Sequence, residues 1–281
     1  MTLTWPVAAA VLFGALLHAC WNALVKSSSD KALETALMHA LGSLAALPML
    51  FLAGLPAPAS WPYIAASVAI HIGYFVTLTG ALKHGDLGLA YPLMRGSAPL
   101  MVALCSALVL VEPLSGLAWL GVIAISCGVL ALGLAPGAHT SRLAVAFALA
   151  NAVLIALYTM VDAVGVRASG NPLGYVLLLF ALNGWPFGML VLARRGWSQV
   201  GPYAKRRWPW ALGGAAASVA SYGLALWAMT QAPVAVVAAL RETSVLFAAV
   251  FGVWLLKEAF TLQRAAGTAV IVAGVVALRL G

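Results

Sequence analysis

The chain has 281 residues, of which 64% are hydrophobic and only 8% are charged. Water-soluble domains carry about 25% charged residues, so this composition excludes a soluble fold and indicates an integral membrane protein. The formal net charge of +8 is then explained by basic loops beside anionic lipid and does not indicate nucleic-acid binding.

Ten apolar segments follow one another along the chain, separated by short stretches rich in Gly, Pro, Ser and Asp, which favour turns. Crossing about 30 Å of hydrocarbon takes roughly 20 apolar residues, which is close to the length of each segment. We therefore predict an all-α membrane protein with about ten transmembrane helices. In chain order these cover residues 5–25, 33–55, 61–82, 89–111, 117–134, 143–166, 173–193, 208–230, 234–256 and 264–280.

Basic residues are distributed unequally between the two sides of this arrangement. Most Lys and Arg residues fall in loops on one side, and only Arg167 and Arg279 fall on the other. The positive-inside rule places the basic loops in the cytoplasm. We therefore expect a bacterial cytoplasmic (inner) membrane, with both termini on the non-cytoplasmic side.

The two halves of the chain share a pattern of charged residues and glycines. Because charged residues are rare here, their recurrence at a constant spacing of 146 residues indicates internal duplication. We predict two five-helix repeats, at residues 1–136 and 137–281. A unit with an odd number of helices must enter the membrane upside down in its second copy, which predicts inverted repeats around a central cavity. Arg95, Glu112, Gly121 and Gly128 recur 146 residues later as Arg241, Glu258, Gly267 and Gly274.

Arg95 and Arg241 lie inside the predicted fourth and ninth helices. Burying an arginine in a bilayer costs about 2.5 to 3.5 kcal/mol, so each needs water, a partner or a substrate anion. In one interpretation they face the cavity and hold a carboxylate or phosphate. In the other they pair with Glu242 or with free carbonyls and only brace the bundle. Pro99, four residues after Arg95, predicts a local break in the fourth helix. Val245 stands at the matching place in the second half, so any break in the ninth helix is expected to be asymmetric.

Polar and aromatic side chains on four other helices could line the same cavity. For any one of them the alternative is an interhelical hydrogen bond, worth about 0.6 kcal/mol. Together with Arg95, Arg241 and Glu242 they form the predicted substrate site. They are His18, Trp21 and Asn22 on the first helix, His71 and Tyr74 on the third, Asn151, Tyr158 and Asp162 on the sixth, and Tyr222 and Trp227 on the eighth. His18, His39, His71 and Asp162 could also titrate and couple protons.

Glu112 and Glu258 are predicted to lie at helix ends, just before Ser115 and Thr261, which have the chemistry of N-caps. We interpret these segments as structural turns. The repeated glycines, seven residues apart within each half, are predicted to let helices approach closely.

Two stretches of the sequence carry a resemblance to a known family: YPLMRGSAPLMVALCSALVLVEPLSGLAWLGVIAISCGVLAL and VAALRETSVLFAAVFGVWLLKEAFTLQRAAGTAVIVAGVVAL. They resemble the EamA-type members of the drug/metabolite transporter superfamily. The family pattern is an arginine or polar residue early in the fourth and ninth helices, then Glu, then glycine-bearing helices. Here Val111 and Lys257 precede the glutamates, where many members have glycine. The resemblance implies ten helices in two repeats, and export of amino acids, including aromatic ones, or of related metabolites through a central cavity.

The sequence thus predicts a secondary transporter that moves a small molecule across the lipid bilayer by alternating access, as a monomer or homodimer. No cofactor, metal site or nucleic-acid partner is predicted. The alternative is an intramembrane hydrolase or lipid transferase, because such enzymes also bury His, Asp and Ser. Neither HExxH nor GxSxG occurs in the sequence to support it. A channel or sensor is a third hypothesis.

Overall fold

The computed structural model describes residues 3–85, 87–133, 141–256 and 261–281. Within these ranges the chain is helical and contains no strand. A short 3₁₀ turn at Pro58–Ser60 leads into α3. The helices are α1 (Trp5–Ser27), α2 (Lys31–Ala53), α3 (Trp61–His84), α4 (Leu87–Val109), α5 (Gly116–Gly133), α6 (Arg142–Ala168), α7 (Pro172–Arg195), α8 (Trp197–Met229), α9 (Val234–Arg241), α10 (Ser244–Leu256) and α11 (Leu262–Leu280).

Nine segments of the described chain are long and apolar enough to cross a membrane, and α5 is a shorter apolar helix. One of the nine runs from α9 into α10, so these two helices form a single span. The prediction of an all-α membrane protein with about ten spans is confirmed.

Most helix ends lie within a few residues of their predicted positions, and the start of α8 is the exception. Gly196, at φ 73°, ends α7, and α8 begins at the next residue, Trp197, well before the predicted residue 208. At a rise of about 1.5 Å per residue, the 33 residues of α8 exceed the hydrocarbon thickness. The first turns of α8, which carry the basic run Lys205 to Arg207, therefore extend beyond the apolar layer.

Short polar side chains begin several helices, because their oxygens accept from backbone N–H groups that have no partner inside the helix. Asp30 accepts from Ala32 and Leu33 at the start of α2, and Asn171 accepts from Gly174 at the start of α7. Ser115 accepts from Ala118, and Thr261 accepts from Arg264, so both are N-caps, as the sequence predicts.

The repeated glycines hold α5 against α11. A Cβ atom on Gly121 would lie 2.8 Å from the carbonyl oxygen of Gly274, and one on Gly128 would lie 2.9 Å from that of Gly267. Exchanging the two halves of the chain turns the first contact into the second. The contacts also show that α5 and α11 are antiparallel. A twofold axis that relates antiparallel helices is perpendicular to them, which is the geometry of inverted repeats.

Other helix pairs follow the same exchange. Helix α2 packs on α7 and α4 packs on α9, while α1 packs on α8 as α6 packs on α3. The division of the chain at residue 136 stays a prediction, since the boundary lies outside the described residues.

The predicted break at Pro99 is wrong, and the interruption lies in the other half. Helix α4 runs from Leu87 to Val109 with Pro99 inside it. The ninth span is interrupted instead between Arg241 and Ser244, where the amides of Glu242 and Thr243 bond to carbonyls three residues back. The Thr243 hydroxyl also donates to the Leu240 carbonyl at 2.7 Å, and such side-chain bonds compete with the helical ladder. A proline inside a membrane helix is tolerated where neighbouring groups satisfy the freed carbonyl.

Candidate functional site

An ion pair between the two halves lies at the centre of the predicted site. Arg95 on α4 and Glu242, at the interruption of the ninth span, approach to 2.9 Å between Nε and Oε2. Both side chains are buried, yet Arg95 Nε, Arg95 Nη2 and Glu242 Oε2 have no hydrogen-bond partner of proper geometry. The charges are thus close but poorly aligned. Such a pair has hydrogen-bonding capacity left for a polar ligand.

Arg241 lies beside this pair but makes a different contact. Its guanidinium carbon lies 4.9 Å from the centre of the Tyr222 ring, which is a cation–π distance. Within the described residues, Arg241 forms no ion pair across helices. The two repeated arginines therefore differ: Arg95 braces the bundle through Glu242, whereas Arg241 presents its charge against an aromatic face.

Asp162 on α6 is held by tyrosine hydroxyls. Tyr175 on α7 donates to Oδ1 at 2.9 Å, and Tyr222 on α8 donates to Oδ2 at 2.5 Å. Tyr222 therefore contacts both Asp162, through its hydroxyl, and Arg241, through its ring. This tyrosine connects the buried acid to the second repeated arginine.

Aromatic rings of α3 and α6 surround this centre. His71 stacks on Tyr158 with ring centres 4.4 Å apart, and Tyr74 meets Tyr158 edge to face at 6.2 Å. Asn151 donates to the Tyr74 carbonyl and to the Thr77 hydroxyl, both at 2.9 Å. Asn151 therefore ties α6 to α3, which is the bracing alternative, while the three rings form an apolar wall.

The predicted residues of α1 lie at the edge of the site. His18 is within electrostatic range of Arg95 and Arg241, and its ring meets that of Trp21 at 5.0 Å. Asn22 donates to the His18 carbonyl, one turn earlier on its own helix, at 2.8 Å. His18 and Trp21 thus approach the site, whereas the Asn22 amide serves its own helix.

A small pocket lies between α1, α2, α7 and α8, and Trp21, His39, Phe180 and Ser218 contribute to its wall. The cavity volume is about 10 Å³, which is enough for roughly one water molecule. A metabolite enters only if the surrounding helices separate.

Trp227 lies outside the cluster that the other predicted residues form. Its side chain is 37% exposed. It follows Tyr222 by five residues, and at about 100° per residue that separation turns it well away from Tyr222 around α8. The predicted contact of Trp227 with substrate has no support in this arrangement.

Tyr175, the second partner of Asp162, is not among the site residues predicted from the sequence. A signal existed, because a buried carboxylate needs donors. A tyrosine in the apolar run that follows Asn171 was therefore a candidate. Which donor is used depends on how α7 is turned toward α6, and the sequence pattern does not contain that information.

Glu112 does more than the predicted turn. Its carboxylate pairs with Arg167 at 2.6 Å and accepts from the Val234 amide, at the start of α9, at 2.9 Å. Ser106 donates to the same carboxylate at 2.6 Å. Glu112 therefore joins the end of α4 to the second half of the chain, on the membrane face where α6 ends and α9 begins.

A second network lies at the opposite face, where the α1–α2 connection and the basic start of α8 meet. Glu34 is fully buried and accepts from Tyr203 at 2.6 Å and from Arg207 at 3.0 and 3.1 Å. Arg195 and Asp30 pair nearby at 3.3 Å, with more exposed side chains. An ion pair thus links the two halves of the chain near each face of the bundle.

Residues 142–280 match the EamA-like transporter family. One crystal structure superposes with a TM-score of 0.74 over 98% of this chain and 95% of its own, at 19% sequence identity. At that identity the likeness shows a shared fold. No curated protein sequence matches this chain significantly.

The apolar spans and the family match together indicate an integral membrane protein with a transporter-type domain. The match over residues 142–280 covers just under half of the chain and indicates a domain similar to the EamA-like transporter family, which lies within the drug/metabolite transporter superfamily. The family assignment implies a small-molecule substrate and a lipid bilayer as the surroundings of the protein.

Proposed function

We propose that this protein exports amino acids or related small metabolites by alternating access, with the substrate held between Arg95, Glu242 and Arg241. The observation that carries the proposal is the Arg95–Glu242 pair, buried and close at 2.9 Å but poorly hydrogen-bonded. Buried charges are costly, so a structure retains them where they serve a function or bind each other well.

The chemistry of the pair favours a zwitterion. An α-amino acid carries a carboxylate and an ammonium on one carbon, so it could insert between the two side chains. Its carboxylate would take the fork of Arg95 and its ammonium would take Glu242, and both new contacts would be charge-assisted hydrogen bonds. Arg241 would add a second cation for the carboxylate.

The surrounding rings favour an aromatic or amphipathic side chain on the substrate. Tyr158, Tyr74 and His71 form one wall of the site, and Trp21 and Phe180 line the adjoining pocket. Binding sites for small molecules combine apolar walls with a few polar groups in this way.

The test is exchange of labelled phenylalanine by the purified protein in proteoliposomes, compared with 3-phenylpropionate, which lacks only the ammonium. We expect the wild type to prefer phenylalanine. Arg95→Gln should weaken exchange of both compounds by about 10- to 100-fold, as expected for loss of a hydrogen bond to a charged group. Glu242→Gln should remove the preference for phenylalanine.

The matched control is Arg279→Gln. Arg279 lies 4.5 Å over the ring of Trp5, away from the buried pair, so this change should leave exchange intact. A neutral double variant, Arg95→Gln with Glu242→Gln, avoids an unpaired buried charge and separates loss of binding from misfolding. Exchange unaffected by both Arg95→Gln and Arg241→Gln would overturn the site. Turnover of a lipid or peptide without transport would favour the enzyme alternative.

A further inference from the structure

Asp162 is a buried acid that the proposed function does not use. Asp162 is 0% exposed and lies in the last third of its span, Arg142–Ala168. Tyr175 and Tyr222 donate to its two oxygens. Within the described residues, no Lys, Arg or His nitrogen lies within 4.0 Å of the carboxylate.

Several helices that surround α6 place ionisable or hydroxyl groups near Asp162. His71 on α3 interacts electrostatically with Asp162, and Ser67, one turn before His71, also reaches the carboxylate. The tyrosines of α7 and α8 supply the two hydrogen bonds. The remaining charged or titratable groups, reached through the Tyr158 and Tyr222 rings, are Tyr74 on α3, Tyr91 and Arg95 on α4, and Arg241 and Glu242 of the ninth span.

Asp162 lies inside a membrane span, and among the described residues its oxygens are held by hydroxyl groups and not by a cation. Acidic residues buried in this way are typical of proton-transfer sites in pumps and transporters.

We propose that Asp162 is a proton-binding site linked to substrate binding at Arg241. The linkage rests on the proposed function, because it concerns the carboxylate of the substrate that Arg241 would hold. A protonated Asp162 has a hydrogen to donate, which the hydroxyl oxygen of Ser67 or Tyr222 can accept. The site can therefore satisfy both forms of the acid.

Charge balance sets the direction of the linkage. Arg95, Arg241, Glu242 and an ionised Asp162 sum to zero, so a proton on Asp162 leaves one unbalanced positive charge for a substrate carboxylate. Asp162 accepts from the Tyr222 hydroxyl and Arg241 lies over the Tyr222 ring, so the charges of Asp162 and Arg241 are within about 10 Å of each other. At an effective dielectric constant of about 20, loss of the Asp162 charge strengthens carboxylate binding on the order of tenfold.

Infrared difference spectra of the purified protein test the proton site without any substrate. When the pH is lowered, the wild type should gain the C=O stretch of a protonated carboxylic acid, and Asp162→Asn should lack that change. Glu34→Gln is the matched control, because Glu34 is as buried as Asp162 but pairs with Arg207. A titrating band that persists in Asp162→Asn, or no such band in the wild type, would overturn the site.

Binding of 3-phenylpropionate, which carries the carboxylate without the ammonium, tests the linkage when it is followed by tryptophan fluorescence across the same pH range. The wild-type dissociation constant should fall about tenfold as Asp162 takes up its proton. Asp162→Asn should bind at every pH with the affinity of the wild type at low pH. A wild-type dissociation constant that does not change with pH refutes the linkage but does not contradict the proposed function. No binding or exchange of any amino acid refutes the proposed function, and the infrared result still decides whether Asp162 binds a proton.

Discussion

Replacing Gly121 by alanine should destabilise the α5–α11 contact that relates the two halves. A Cβ atom at this position would lie 2.8 Å from the Gly274 carbonyl oxygen and 2.8 Å from the Leu278 amide nitrogen. Both neighbours are backbone atoms of α11, so relief requires the helices to move apart. Overpacking of this kind costs typically 1 to 3 kcal/mol, or about 2 to 4 °C in apparent Tm for each kcal/mol in a chain of this size.

Gly213→Ala provides the matched control. Gly213 lies inside α8, and a Cβ atom there would have nothing within 4 Å. The change should stabilise the helix by up to about 1 kcal/mol, because alanine has the higher helix propensity. The two variants thus have the same chemistry and opposite expected signs.

The assay is thermal unfolding of both variants in the same detergent, followed by size-exclusion chromatography of heated samples. The apparent Tm of Gly121→Ala should fall by several degrees relative to Gly213→Ala. Equal melting temperatures would show that α5 and α11 do not pack through Gly121. The glycine contacts would then no longer support the inverted arrangement of the two halves.

Three further predictions concern single side chains and use the same unfolding assay. Val111 has φ 53° and is 77% exposed, so Val111→Gly should raise the apparent Tm by relieving a left-handed conformation that costs about 1 to 2 kcal/mol; a lower value would contradict the strain. Glu112→Gln should lower it more than Arg195→Gln, because Glu112 binds Arg167 in a partly buried pair whereas exposed pairs contribute about 0 to 1 kcal/mol. Tyr203→Phe should cost about 1.5 to 3 kcal/mol through loss of the hydrogen bond to buried Glu34, and an unchanged apparent Tm would show that this bond contributes nothing.

Val111 departs from the family pattern at a position where the backbone has a positive φ. The resemblance places glycine before the glutamate in many members, and glycine adopts positive φ at no steric cost. In this chain a β-branched valine occupies the position and has φ 53°. The sequence indicated the departure, but only the backbone angle shows that it stores strain.

The sequence by itself determined the class of protein, the number of spans and the pairing of equivalent positions. These follow from hydrophobic length and from residues spaced 146 apart, and both properties are read along one chain without knowledge of its path. The N-caps at Ser115 and Thr261 are also local, since each cap bonds an amide three residues later.

Only the tertiary structure decided which buried groups meet. It paired Arg95 with Glu242 and left Arg241 on an aromatic ring, although the repeat treats the two arginines as equivalent. It also brought Tyr175 to Asp162. Each of these contacts depends on how far one helix is rotated toward its neighbour. In so apolar a chain that rotation is set by close packing, through small residues such as the repeated glycines, because lipid and helix faces are equally hydrophobic.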